Sequence, residues 1–264
     1  MFQPPPIVTL TTDFGGGSRY VAAMKGVLLS INPALTLVDI SHAVPPQDVR
    51  AGAIMLAETT PWFPEGSLHM AIVDPGVGTE RRILYAQIAG RHYILPDNGL
   101  LACLADQHEP ATMRVVANRD HWLKDVSTTF HGRDIMAPVA ARLSLGLDPA
   151  ELGPTCNDFV RIPLPEAASV GQKIEGEVVE VDSFGNLITN ITRDMLDGVP
   201  RGEGVRVRCD DHETIGIFNA YADQPPMTLV ALISSGDKLE LAIVDESAKT
   251  MLGVSDGVRV TVEW

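Results

Sequence analysis

The texture of this chain changes once, between Asn157 and Lys173, where a polar stretch carrying Pro163 and Pro165 separates two regions of different periodicity. Proline has no backbone N–H and disfavours helix, so a linker is expected there. Ahead of it, short β-branched runs alternate with stretches whose apolar residues recur at helical spacing. Residues 7–11 read as a strand, 18–30 as a helix with Val21, Met24, Val27 and Leu28 on one face, and 35–40 as a second strand. Residues 46–60 read as another helix, 67–73, 83–88 and 92–96 as strands, and 134–145 as an alanine-rich helix. Such strand–loop–helix units predict an α/β domain with a mostly parallel sheet covered on both faces.

Beyond the linker the runs 175–181, 187–191, 204–209, 214–218, 228–233, 239–244 and 258–262 are short and rich in β-formers, with glycine or acidic turns between them. They predict a smaller all-β, barrel-like domain. The expected division is an N-terminal domain over 1–160, a linker over 161–172 and a C-terminal domain over 173–264. The prolines at 4–6 read as a stiff lead-in.

Charge narrows the partners. The 264 residues carry 20 basic and 34 acidic side chains, a formal charge of -14, which opposes nucleic acid and anionic membrane surfaces and suits a cationic or zwitterionic ligand. Cys103, Cys156 and Cys209 are far apart and form no C-x-x-C pair, so neither a disulfide framework nor a zinc site is expected. With no basic segment leading into an apolar one at the start, and no apolar run long enough to span a bilayer, a cytoplasmic protein is expected.

Five segments carry candidate chemistry. Asp13 follows the first strand and opens a glycine triplet, where loops of α/β sheets meet ligands, although turn formation accounts for it equally well. The segment is neither a Walker loop nor a Gly-x-Gly-x-x-Gly fingerprint. Asp74, also at a strand end, is followed by a glycine-broken loop and by Arg81 and Arg82. That loop can fold the charges together or lie as a solvated turn. His131 precedes the alanine-rich helix within Thr129-Phe130-His131-Gly132-Arg133-Asp134 and titrates where proton transfer near neutrality needs it. Asp182, Phe184 and Asn186 share a turn that hairpin geometry alone explains readily; the same holds for Ser234 and Ser235 ahead of Gly236, and Glu240 is a carboxylate inside an apolar strand pattern that fits the exposed face equally well.

Jointly, these segments resemble the SAM hydroxide adenosyltransferase family, relatives of the fluorinases and chlorinases. The likeness runs through Asp13 in Thr-Asp-Phe-Gly, Asp39-Ile40-Ser41-His42 with Val44-Pro45, Val73 to Thr79, Pro96-Asp97-Asn98-Gly99, Thr129 to Asp134, the Asp182 to Asn186 turn and Ser234-Ser235-Gly236. The resemblance implies hydrolysis of S-adenosylmethionine (SAM) to adenosine and methionine by water or hydroxide attacking ribose C5′. Asp74, Arg81 and His131 would form the catalytic trio, with Arg81 rather than Arg82 as its cation. Asp13 would hold the ribose hydroxyls, the Asp182 to Asn186 turn with Phe184 would contact the methionine portion or adenosine, and Ser234, Ser235 and Glu240 would grip the methionine end. No cofactor or metal is implied, SAM being the substrate. A homotrimer with sites between neighbouring subunits is.

Three alternatives stand beside this reading. A SAM-dependent halogenase is the nearest, but its relatives keep an uncharged environment where Asp74 and His131 fall, and carry tryptophan where this chain has Gln47. The run Asp245-Glu246-Ser247-Ala248 also departs from the family's Asn-Gly-Asn-Ala. A non-catalytic SAM- or adenosine-binding protein is a second alternative, against which the trio argues. A metal-dependent hydrolase is a third, without an H-E-x-x-H or comparable spacing in its favour.

Overall fold

A computed structural model describes residues 6–264, so Pro4 and Pro5 of the expected lead-in lie outside the described residues. The chain divides into two compact units, Met1–Ile162 and Pro163–Trp264.

The first unit runs β1 (Ile7–Thr12), α1 (Arg19–Ile31), β2 (Thr36–Ser41), α2 (Val49–Thr59), β3 (Leu68–Ile72), β4 (Ile83–Ile88), β5 (Arg91–Pro96), α3 (Ala102–Gln107), β6 (Thr112–Val115) and α4 (Ala137–Ser144). Its sheet has the order β2-β1-β3-β5-β4-β6. β1 pairs in parallel with β2 and β3, and β3 with β5, whereas β4 runs antiparallel to both β5 and β6. Only β4 is reversed, because it joins β5 through a hairpin rather than a helix.

Helix α1 starts where Ser18 accepts a hydrogen bond from the Tyr20 N–H, the usual way of satisfying an orphan donor. It buries Val21, Met24 and Leu28 against Val8, Leu10, Met70 and Ile72 of the sheet and Val139 and Ala140 of α4. Each fully buried side chain of this size contributes about 1.5–3 kcal/mol. α2 covers the other face. There Gly52 approaches so closely that a Cβ would lie 3.2 Å from Val73 and 2.8 Å from Leu100, which is why no side chain fits.

Two boundaries in this unit differ from the sequence expectation. α2 begins at Val49 rather than near Pro46, since Gln47 takes a positive φ of 64° and Asp48 caps the helix by accepting from the Ala51 N–H. The helix expected over 134–145 opens instead as a π-helical turn, Gly132–Met136, closed by the Ala137 N–H on the Gly132 carbonyl, before α4 proper. α3 and β6 had no expectation at all.

The second unit contains β7 (Ala168–Val170), β8 (Lys173–Val181), β9 (Leu187–Thr192), β10 (Arg206–Cys209), β11 (His212–Ile215), β12 (Leu229–Ile233), β13 (Lys238–Ile243), α5 (Ala248–Leu252) and β14 (Arg259–Glu263). All its ladders are antiparallel, in the order β11-β10-β14-β8-β9-β13-β12 with β7 added to β8. A bridge between Phe218 and Leu232 brings the chain after β11 beside β12, so the sheet is nearly a closed barrel. Ile174, Val178, Leu187, Leu239, Leu241, Val260 and Val262 fill its interior. β11 lies earlier than 214–218 because Gly216, at φ 90°, breaks the strand. β7 falls inside the stretch expected to be linker, and α5 is a helix where only strands were expected.

Candidate active site

Asp74 stands two residues past β3, and Arg81 two residues ahead of β4. The intervening loop is folded by hydrogen bonds from the Val77 N–H to the Asp74 carbonyl and from the Thr79 N–H to the Gly76 carbonyl, both at 3.2 Å. Arg81 Nε donates to Asp74 Oδ1 at 2.8 Å and Oδ2 at 2.9 Å, and its Nη2 donates to Oδ2 as well. The same Nη2 donates to His131 Nδ1 at 3.0 Å. Fork and carboxylate therefore meet in bidentate fashion, with side-chain exposures of only 9% and 5%. Removing both charges from water offsets much of their attraction, so the pair serves orientation more than stability. The neighbouring guanidinium faces elsewhere: Arg82 Nε donates to Asp97 Oδ2 at 2.7 Å, and its Nη1 to Asp158 Oδ1 at 3.1 Å.

His131 immediately precedes the π turn. Two contacts fix the loop before it. Gly78, at φ 81°, comes so near the Thr128 carbonyl that a Cβ there would sit 2.3 Å from its oxygen, so the Asp74–Arg81 loop lies directly on the His131 loop. Asp134, fully buried, accepts from the Ser127 N–H at 2.8 Å and from Arg133 Nε at 2.6 Å. Burial first, and then the Arg81 charge, push the His131 imidazole below its usual value, against the opposing charges of Asp74 and Asp134. A guanidinium only donates, so Nδ1 accepts and the neutral ring carries its proton on Nε2. Arg81 and His131 line a cavity of about 770 Å³ together with Arg119, Trp122 and Lys124.

Asp13 directly follows β1. Its Oδ2 accepts from the Gln47 N–H at 2.8 Å, an approach made by the left-handed backbone at Gln47. The loop is held further by Thr12 Oγ1 on His42 Nδ1 at 2.9 Å and by the Gly15 N–H on the His42 carbonyl at 2.7 Å. Asp39 in turn contacts His42 Nε2 at 3.1 Å and Lys25 Nζ at 2.6 Å. The Asp39 to His42 motif thus supports the loop that presents Asp13.

In the second unit Asp182 organises its own turn. Its Oδ1 accepts from the Phe184 and Asn186 N–H groups at 2.9 and 2.8 Å, and its Oδ2 from Asn186 Nδ2 at 3.0 Å. Phe184 is 78% exposed. Phe184 and Asn186 line a cavity of about 540 Å³ with Tyr221, Asp245, Glu246 and Ser247. Glu240 is buried and accepts from the Tyr221 hydroxyl at 2.6 Å. Burial raises its carboxyl above the usual range; the Tyr221 bond opposes this and the Asp182 charge adds to it. Ser234 and Ser235 form the β12–β13 turn, with the Ser234 N–H on the Lys238 carbonyl at 2.8 Å, and lie outside the residues lining that cavity.

Sequence reasoning passed over Tyr221, which lies 19 residues from the carboxylate it meets and in no distinctive motif. No group of three or more His, Cys, Asp or Glu side chains that could hold a metal ion occurs among the described residues. None of their helices is long and apolar enough to cross a membrane.

An α/β unit whose buried carboxylate–guanidinium pair meets a half-buried imidazole beyond the ends of its strands is the kind of framework on which enzymes are built. Residues 8–153 match the SAM hydroxide adenosyltransferase N-terminal domain and residues 176–261 the corresponding C-terminal domain, and the chain belongs to that family. It is 40% identical over 261 residues to the (R)-S-adenosyl-L-methionine hydrolase of Thermus thermophilus, covering 96% of this chain and 98% of that one. To the (R)-S-adenosyl-L-methionine hydrolase of Salinispora tropica it is 37% identical over 262 residues, 98% of each. The crystal structure of an uncharacterized conserved protein from Thermotoga maritima superposes with a TM-score of 0.92 at 34% identity, covering 98% of this chain and 100% of that one.

Proposed function

We propose that this protein hydrolyses SAM to adenosine and methionine, water or hydroxide attacking ribose C5′. The observation that carries the reading is the network in which Arg81 grips Asp74 and His131 with one guanidinium. As the new O–C5′ bond forms, the C5′–S bond breaks and its electron pair neutralises the sulfonium. The leaving methionine therefore needs no general acid. What the protein must supply is an oriented, desolvated oxygen and a place for its proton. Asp74 accepts that proton and releases it to solvent, the neutral His131 ring offers its Nε2–H to the oxygen, and the fixed charge of Arg81 stabilises hydroxide character.

The remaining roles extend the same proposal. Asp13, with Oδ2 engaged by Gln47, offers Oδ1 to the ribose hydroxyls. The cavity beside Phe184 and Asn186 receives adenosine or the methionine portion, and Glu240 with Ser234 and Ser235 takes the methionine end. Asp182 contributes chiefly by shaping its turn, since three donors already occupy its carboxylate. The names of the relatives favour the (R)-sulfonium epimer as substrate. No cofactor is required, the enzyme works in the cytoplasm, and it assembles as a homotrimer whose sites are completed by neighbouring subunits. Chelator-insensitive activity, and loss of activity in monomeric variants sized by light scattering, test the cofactor and trimer readings.

A carboxylate at Asp74 disfavours a halide nucleophile, which separates this reading from that of a halogenase. The test is incubation with SAM in oxygen-18 water, with and without chloride, followed by mass spectrometry. Adenosine labelled at the 5′ oxygen, lost in His131→Ala, is the expected result. 5′-Chloro-5′-deoxyadenosine, or bound and unaltered SAM, overturns it.

A further inference from the structure

The motif Pro96-Asp97-Asn98-Gly99 has no part in the chemistry above, yet it touches both sides of it. Asp74 and Arg81 extend β3 and β4, which are not neighbours: β5 lies between them in the sheet. The β3–β5 ladder ends at the Met70–Ile94 pair, and Pro96 has no N–H with which to continue it. Past that end Asn98 Nδ2 donates to the Val73 carbonyl at 2.8 Å, one residue before Asp74. On the opposite side Asp97 takes Arg82, one residue after Arg81, through its carboxylate at 2.7 Å from Nε, while its own N–H donates to the Arg82 carbonyl at 2.9 Å. The remaining oxygen of Asp97 accepts from the Val160 N–H at 2.8 Å, and the residue is 6% exposed.

We infer that Asp97 and Asn98 form a two-sided clamp that sets the spacing of Asp74 and Arg81, and that they are positioning residues for the proposed hydrolysis. Two strand extensions separated by a third have no ladder of their own to hold them in register. A bidentate contact at 2.8 to 2.9 Å tolerates little drift, and Arg81 must reach His131 with the same nitrogen. The clamp also splits the tandem arginines: Arg82 is drawn towards Asp97 and Asp158, which leaves Arg81 to face Asp74.

This inference rests on the trio being the catalytic apparatus, so its test needs a readout independent of turnover. Asn98→Ala and Asp97→Asn are compared with the wild type in SAM hydrolysis, in thermal unfolding and in the titration of the His131 imidazole followed by NMR. The groups facing that imidazole are Arg81, Asp74 and Asp134. In Asn98→Ala, kcat is expected to fall about tenfold or more with KM within about twofold, as a misplaced catalytic group demands. The His131 midpoint rises as the Arg81 charge withdraws. If Asn98→Ala does not fold, Asp97→Asn carries the same expectation on a smaller scale, because its Oδ1 still accepts from Val160. Folded variants with unchanged kcat and unchanged His131 titration overturn the clamp, as does a rise in KM alone, which would place Asp97 or Asn98 against the substrate. A wild type that leaves SAM intact refutes the proposed function instead, and the His131 titration still decides the clamp.

Discussion

Arg81 holds Asp74 and His131 with one guanidinium, Nη2 donating both to the carboxylate and, at 3.0 Å, to the imidazole Nδ1. Lysine offers a single point charge in place of this planar fork. Arg81→Lys should therefore lower kcat about 100-fold, the scale of losing one preorganised transition-state donor. Arg82→Lys should reduce it far less, since that side chain faces Asp97 and Asp158. Steady-state release of adenosine from the two variants makes the comparison.

The pH profile follows from the same contact. His131 accepts from Arg81 only when Nδ1 is unprotonated, and burial with the Arg81 charge depresses its pKa below 6.5. Activity should accordingly persist as the pH falls through 6.5 and be lost only below it, when protonation puts an N–H against the guanidinium. An acid limb of kcat centred above 6.5 would contradict this.

A second buried histidine affects stability rather than chemistry. His69, fully buried, bonds Thr9 Oγ1 through Nδ1 at 2.8 Å, and burial, followed by the Arg91 and His92 charges, lowers its pKa from 6.5 to about 3. Between those values the unfolded chain binds a proton that the folded chain refuses. Stability contributed by this group is thus full above 6.5 and falls as the pH drops towards about 3, by roughly 1.4 kcal/mol per pH unit. Chemical unfolding of the wild type and His69→Gln across that window should show a steeper acid loss in the wild type.

Gly78→Ala tests the contact between the Asp74–Arg81 loop and the loop before His131. A methyl group would meet the Thr128 carbonyl at 2.3 Å from a backbone with φ 81°, so the loops must separate. The positive φ alone costs about 1 kcal/mol. The displacement of His131 should cost a further ~100-fold in kcat, measurable under conditions where circular dichroism shows the variant folded.

Glu240→Gln removes the buried carboxylate proposed to take the methionine end, where a carboxylate suits the ammonium group, while keeping an acceptor for Tyr221. KM should rise about 10- to 100-fold with kcat little changed, the scale of one hydrogen bond to a charged group. An unchanged KM, measured alongside binding of methionine by calorimetry, would remove Glu240 from the site.

Much of this architecture was legible because burial writes periodicity into sequence. Val21, Met24 and Leu28, recurring at helical spacing, announced α1. The misses have local causes. α3 is a six-residue helix, too short for a periodic signature, and Gln47 and Gly216 move element boundaries through positive φ values that composition does not reveal. In the candidate site, resemblance named Asp74, Arg81 and His131, but the direction each arginine faces depends on Asp97 and Asp158, residues distant in sequence. The pairing of Tyr221 with Glu240 comes from barrel closure and has no local pattern to betray it.

The π turn at Gly132–Met136 makes chain length itself a constraint. A π turn holds about one residue more than an α-helical turn, and each residue rotates an α-helix by about 100°. Deleting one residue here would allow the segment to close as ordinary α-helix, but His131 and the core-facing Val139 and Ala140 could not then both keep their bearings. Nearby loops can absorb insertions and deletions without such a conflict. Across Gly132–Met136 the phasing is fixed at both ends, and a one-residue indel should prove more damaging than many substitutions.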